Sequence, residues 1–288
     1  MSPNVAGALL MMASMACFTL NDALLKATNG DLPLFQLLFF RGILATAFIG
    51  ILAGIRGALR ARPSRQDWFM ILLRSLAEVG AAYFFVTALL KMPLANVTAI
   101  LQVLPLTVTL GAALFFAEPI GWRRITAILI GFLGMLLIVR PGTDGFSVWS
   151  LYALGAVACV TVRDLAVRRM SSSVPSLFVT FAASVAVLLA SGLASMAIDW
   201  APLTPRLGWL IVAASFFIVG GYYFSVQVMR SGDVSFIAPF RYTGLIWALL
   251  LGWTVFGDWP GSVTLLGAAI IVATGLFTLY RERALLRM

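Results

Sequence analysis

Ten runs of apolar residues, each about long enough to carry an α-helix across a lipid bilayer, tile this chain almost from end to end. They fall at 5–26, 33–54, 68–90, 95–117, 122–140, 148–168, 175–197, 207–229, 234–256 and 261–280. A hydrocarbon core about 30 Å thick takes about 20 residues of helix. Inside it the backbone must satisfy its own hydrogen bonds, so runs of this length read as helices. Of the 288 residues, 61% are hydrophobic and 11% charged, against roughly 25% charged in soluble domains. The connections are too short for a separate soluble domain. The first run has no Lys or Arg before it and no small-residue cleavage site, so it reads as a retained helix rather than a signal peptide. The expected fold class is an all-α integral membrane protein.

Within these runs a local pattern occurs twice. Cys17, Thr19, Asp22 and Pro33 return 142 residues later as Cys159, Thr161, Asp164 and Pro175. Tyr83, Phe84 and Thr87 align with Tyr223, Phe224 and Gln227 at an offset of 140, as Glu118 does with Asp258. The chain reads as a duplication, with residues 1–141 forming one five-helix unit and 142–288 the other. Five is an odd number, so the second copy enters the bilayer inverted relative to the first. Inverted repeats of this kind build many secondary transporters, with the solute site at the seam.

The basic residues support the same topology. Of 20 Lys and Arg residues, twelve (Arg56, Arg60, Arg62, Arg65, Arg123, Arg124, Arg168, Arg169, Arg230, Arg281, Arg283 and Arg287) fall on the side of the amino terminus. Four (Lys26, Lys91, Arg140 and Arg206) fall on the other side, and four lie within spans. Cytoplasmic loops are enriched in Lys and Arg, so both termini are expected in the cytoplasm and the net charge of +9 needs no nucleic-acid partner. Seven of the eight Trp residues lie near helix ends, where an interfacial aromatic belt belongs. Gly50 with Gly54, Gly131 with Gly134, and Gly267 with Gly275 would let helix backbones approach closely.

Several function classes are excluded. There is no Walker A segment, so ATP does not drive this chain directly. There is no histidine, and the two cysteines sit alone in mid-span as small packing residues, so no metal site and no cofactor is expected. The chain also lacks HExxH, GxGD and Cys/His pairings, and it is not expected to be an enzyme.

Two segments invite comparison with a known family. Residues 114–138, LFFAEPIGWRRITAILIGFLGMLLI, and 254–279, TVFGDWPGSVTLLGAAIIVATGLFTL, each place an acid at a helix end, then a polar turn, then a small-residue-rich helix. With ten spans in two copies, the chain resembles the drug/metabolite transporter superfamily in its ten-helix EamA-type branch, and within it the bacterial amino-acid exporters of the YddG type. Asp258 stands where the second acid is more usually Glu. The resemblance implies a multi-pass protein of the inner membrane, working as a monomer because both copies share one chain. It would move small metabolites by alternating access, without ATP, and export amino acids by facilitated diffusion. A proton-coupled drug or other metabolite exporter is the alternative. The family's central cavity would lie between the copies.

Ionisable groups in a span cost roughly 2.5–3.5 kcal/mol each, so they normally face a partner or a wet cavity. Seven are kept here: Asp22, Arg41, Arg74, Glu78, Arg163, Asp164 and Arg241. Arg74 and Glu78 are four apart and share a helix face, as an ion pair or as cavity lining. Asp22 and Arg41 are placed to pair across the bundle, and Arg163 to snorkel toward Arg168 and Arg169. Asp22, Arg41, Arg74, Arg163 and Asp164 read as gate or helix-pairing groups. Glu78, Tyr83 and Thr87 on the third helix, Tyr223 and Gln227 on the eighth, and Asn21, Gln102, Arg241 and Tyr242 complete a substrate lining, or else pack and hydrogen-bond between helices. Pro105 and Pro239 interrupt the fourth helix of each copy and free the carbonyls of Leu101 and Ser235, which marks a hinge or a static bend.

Overall fold

In a computed structural model, residues 3–118, 120–143, 146–228 and 234–285 are described, apart from the side chains of residues 226, 234, 235 and 281–285. Arg230 and Arg287, counted above, lie outside the described residues, as do the side chains of Arg281 and Arg283. Twelve α-helices make ten spans. Eight cross alone: α1 (Pro3–Lys26), α2 (Leu34–Ile55), α3 (Arg65–Lys91), α6 (Trp122–Val139), α7 (Val148–Arg168), α8 (Ser176–Ser195), α9 (Pro205–Val228) and α12 (Ser262–Leu285). α4 (Leu94–Leu101) and α5 (Leu104–Phe116) share a span, as do α10 (Val234–Ile237) and α11 (Thr243–Phe256) around a 3-10 turn at Ala238–Tyr242. Among the described residues nine stretches are long and apolar enough to cross a membrane, the α4–α5 stretch Leu94–Phe116 among them. The fourth and ninth spans are broken helices rather than the unbroken runs the hydropathy suggests, and a proline marks each break, Pro105 at the start of α5 and Pro239 in the 3-10 turn.

The helices pair reciprocally between halves: α1 packs on α9, α3 on α7, α2 on α8, α4 on α11 and α6 on α12. First meets third, third meets first, and second, fourth and fifth meet themselves. A pseudo-two-fold axis produces that pattern. Because the spans alternate in direction, each half is inverted relative to the other. We call the face where α1 begins proximal and the face where it ends distal.

The duplicated motif has a physical explanation at each position. Cys17 lies against Gly220 and Cys159 against Gly80, where a Cβ would stand 3.3 and 2.9 Å from the sulfur. The glycines are themselves equivalent at the offset of 140. Thr19 donates to the Met15 carbonyl (2.8 Å) and Thr161 to that of Val157 (2.7 Å), each back-bonding one turn. Asp22 accepts from Asn21 Nδ2 at 2.8 Å and Asp164 from Arg163 Nε at 2.9 Å, the preceding residue in both cases. Pro33 and Pro175 immediately precede α2 and α8 in extended conformation. Ser64 caps α3 with a reciprocal box to Asp67, and its equivalent Thr204 accepts from Leu207 N at 3.4 Å at the start of α9.

Lipid is as apolar as a leucine side chain, so small residues rather than hydrophobicity let these helices associate. α6 and α12 touch backbone to backbone: a Cβ on Gly134 would stand 2.9 Å from the Gly267 carbonyl oxygen, and one on Gly267 2.5 Å from that of Gly134. Gly131 is closed off by Leu106, Gly275 by the Tyr242 hydroxyl and Gly50 by Phe181. Gly54 meets only Leu59, at 4.0 Å. Overpacking typically costs about 1–3 kcal/mol. Gly134→Val and Gly267→Val should each lower thermal stability in detergent by that amount, with Gly54→Val close to wild type.

Candidate functional site

α2 and α3 of the first half and α8 and α9 of the second enclose a small cavity of about 50 Å³, room for a few water molecules. Its lining residues pair across the axis at the repeat offsets: Leu38 with Thr180, Arg41 with Ala183, Gly42 with Ser184, Glu78 with Ile218, and Ala82 with Tyr222. The cavity therefore straddles the pseudo-two-fold axis. A wider groove of about 640 Å³ lies between α6 and α12, but Trp122 and Tyr280 on its walls are 71% and 70% exposed. That groove opens to the bilayer side of the bundle and holds no opposed charges, so the axial cavity is the better candidate.

Glu78 is the central residue of the 27-residue α3 and organises the charges at this depth. Its carboxylate lies 3.4 Å from Arg163 NH1 and 3.9 Å from Arg74 NH2. Arg163 also holds Asp164 at 2.9 Å, and Arg74 donates to the Val179 carbonyl at 3.2 Å. Charges drawn from water into a low dielectric persist only with such compensation. Arg41, on the cavity wall, has no ion pair or hydrogen bond among the described residues. Two other lining groups, Arg74 Nε and Thr46 Oγ1, are buried without a hydrogen-bond partner there.

The structure brings together only some of the residues picked from the sequence. Arg74 and Glu78 do pair. Arg163 does not snorkel toward Arg168 and Arg169: it turns inward, because Glu78 and Asp164 offer compensation that the apolar surroundings do not. Asp22 and Arg41 make no direct ion pair among the described residues, although the Arg41 charge acts on Asp22. Tyr83 packs between Phe35, Phe84 and Tyr152, and Thr87 back-bonds to the Tyr83 carbonyl. Tyr223 is 41% exposed and its hydroxyl accepts from Gln227. Gln102 lies against Gly244 near Met15, Tyr242 is buried on Gly275, and Arg241 is exposed. None of these seven lines the axial cavity. Tyr222, Thr46, Thr180 and Ser184 do, and the sequence reading missed them. The repeat offset could have found Tyr222, which is equivalent to Ala82, one turn from Glu78.

Buried polar contacts join the two halves at both faces, by different chemistry. At the proximal face Asp67, 4% exposed, accepts from Ser64 N and Oγ and, across the halves, from Ser171 N and Oγ, both at 2.9 Å. At the distal face Gln36, 1% exposed, exchanges two hydrogen bonds with the Ala201 backbone at 2.8 and 2.9 Å. Leu207 and Ile211 there pack with Leu25, Leu32 and Leu37.

The sequence model of the EamA-like transporter family matches residues 5–140 and again residues 147–280. The pseudopaline exporter of Pseudomonas aeruginosa is 28% identical over 278 residues, 93% of this chain and 93% of that one. The riboflavin transporter of Vibrio cholerae is 30% identical over 226 residues, 78% and 74% of the two chains. The S-adenosylmethionine uptake transporter of Rickettsia felis is 25% identical over 280 residues, 94% and 92%. A crystal structure of another protein, 19% identical, superimposes with a TM-score of 0.63 over 97% of this chain and 99% of that one, a likeness of fold alone.

Proposed function

The chain belongs to the EamA-like transporter family and is a multi-pass metabolite transporter, and from that premise we propose that it exports amino acids and similar zwitterions through the axial cavity. The observation that carries this reading is the cavity's mixture of chemistry. Arg41 and Arg74 offer a carboxylate its partners, Glu78 is the acid that an ammonium would share with the arginines, and Ala183, Val187 and Ile218 leave an apolar wall for a variable side chain. At about 50 Å³ the cavity must widen to admit such a molecule. Transport then follows from rocking one half against the other, releasing the Asp67 and Gln36 contacts in turn, with Pro105 and Pro239 as bending points. No ATP is needed, and the solute's own gradient drives net flux. The two units meet between residues 141 and 142 and form a complete pathway in one chain, so a monomer in the bacterial inner membrane suffices. In this reading both termini face the cytoplasm, which the distribution of basic residues supports.

Relatives include an exporter and an uptake transporter. The direction of net flux therefore rests on the amino-acid reading. The rival, a proton-coupled drug or metabolite exporter, is favoured by one observation: Asp22 is held by neutral Asn21 rather than by an arginine contact. Counterflow in proteoliposomes against amino acids, sugars and organic cations decides between them. Exchange of neutral amino acids without a pH gradient is expected. Movement of organic cations only, strictly dependent on a proton gradient and on Asp22, would establish the rival.

A further inference from the structure

A charge network needed merely to hold two related halves together would be expected in both, as the Cys–Gly contacts, the threonine back-bonds and the Asp hydrogen bonds are. The cavity charges break that rule. Where the first half has Arg41, Arg74 and Glu78, the second has Ala183, Ala214 and Ile218. Ala183 and Ile218 line the same cavity. Its shape is duplicated and its charge is not. The second half forms the same helices without these groups, so helix formation does not demand them, and each charged residue in a span costs roughly 2.5–3.5 kcal/mol.

The one-sided wall also has donors to spare. Glu78 is already engaged by Arg74 and Arg163, whereas Arg41 has no acid in contact among the described residues. Thr46, 8% exposed, and Arg74, 9% exposed, each present a buried polar atom without a hydrogen-bond partner among the described residues. A planar guanidinium on a wall that holds two further donor side chains matches one carboxylate, whose two oxygens accept several hydrogen bonds in a plane. A dianionic phosphate would need more uncommitted cations than one.

We propose that this is a carboxylate-binding subsite: Arg41 pairs with the carboxylate of the transported solute, Arg74 Nε and Thr46 Oγ1 complete its hydrogen bonds, and the solute's apolar part lies on the second-half wall of Ala183, Val187 and Ile218. This deepens the amino-acid reading and rests on it. Arg41 is then the specificity residue, and its charge on Asp22 is secondary.

The test uses the full chain in proteoliposomes and in detergent. Counterflow of L-phenylalanine, L-methionine and L-threonine is competed by each acid and by its carboxamide, and thermal stabilisation by the same compounds is measured in parallel. The wild type should prefer acid over amide at least tenfold in both readouts. Arg41→Gln should raise half-saturation for the acids at least tenfold and abolish the preference. Arg41→Lys should keep part of it, and Thr46→Val should weaken the acids several-fold with the charge intact, which covers the case of a poorly folding Arg41→Gln. An unchanged acid-to-amide ratio in Arg41→Gln, or in Arg41→Lys and Thr46→Val should Arg41→Gln fail to fold, overturns the subsite. If the wild type exchanges none of the three amino acids but keeps acid-specific, Arg41-dependent stabilisation, amino-acid transport fails and the subsite stands. Loss of both removes both.

Discussion

Glu78→Gln should be the most destabilising single substitution in the polar cluster. The amide cannot neutralise Arg74 and Arg163, and both guanidinium groups would remain at mid-depth with side chains only 11% and 23% exposed. Removing one partner of a buried ion pair costs about 3–5 kcal/mol, and the residual exposure here puts the expected loss near the lower figure. Glu78→Asp keeps the charge on a shorter arm and should lose less. The double variant Arg74→Gln with Glu78→Gln removes one charge of each sign, so it should be more stable than Glu78→Gln alone, a coupling that a double-mutant cycle reads directly. Thermal unfolding of the purified protein is the measurement. Wild-type stability in Glu78→Gln would mean that this carboxylate does not hold the arginines.

Asp67→Ala and Gln36→Ala should push the transporter in opposite directions. Asp67 holds the proximal face closed through two hydrogen bonds from Ser171 of the other half, while Gln36 holds the distal face through the Ala201 backbone. Hydrogen bonds to a charged group are stronger than neutral ones, so loss of the Asp67 pair should raise the proximally open population by at least about a hundredfold. Gln36→Ala removes two neutral bonds of about 1 kcal/mol each and should open the distal face by on the order of tenfold. With Ser184→Cys as a reporter in the cavity wall, an impermeant maleimide should label Asp67→Ala faster from the proximal side and Gln36→Ala faster from the distal side. Equal acceleration from one side in both variants would show that these contacts do not set the direction of opening.

The comparison of halves explains which features could be read in advance. Cys17, Thr19 and Asp22 recur as Cys159, Thr161 and Asp164 because each serves a contact made within its own helix or against an equivalent glycine, and such contacts repeat with the fold. Arg163 was misplaced for the opposite reason. Its neighbours in sequence, Arg168 and Arg169, suggest the membrane surface, but the partner that holds it, Glu78, is 85 residues away. Tyr222 and Tyr223 make the point most sharply. Successive residues point about 100° apart around a helix, given 3.6 residues per turn. Tyr223, the repeat equivalent of Tyr83, is 41% exposed, whereas its neighbour Tyr222 lines the cavity.

Hydropathy, the odd number of spans per repeat and the bias of basic residues needed no coordinates to define ten helices in two inverted units, because bilayer thickness and backbone hydrogen bonding leave a membrane chain few alternatives. Periodicity states which side chains share a face of one helix, but not which neighbour that face meets. That choice depends on how each helix is rotated and how closely small residues let it approach. Only packing α2 and α3 against α8 and α9 set Arg41, Arg74 and Glu78 opposite Ala183 and Ile218, and so turned scattered intramembrane charges into one wall of a cavity.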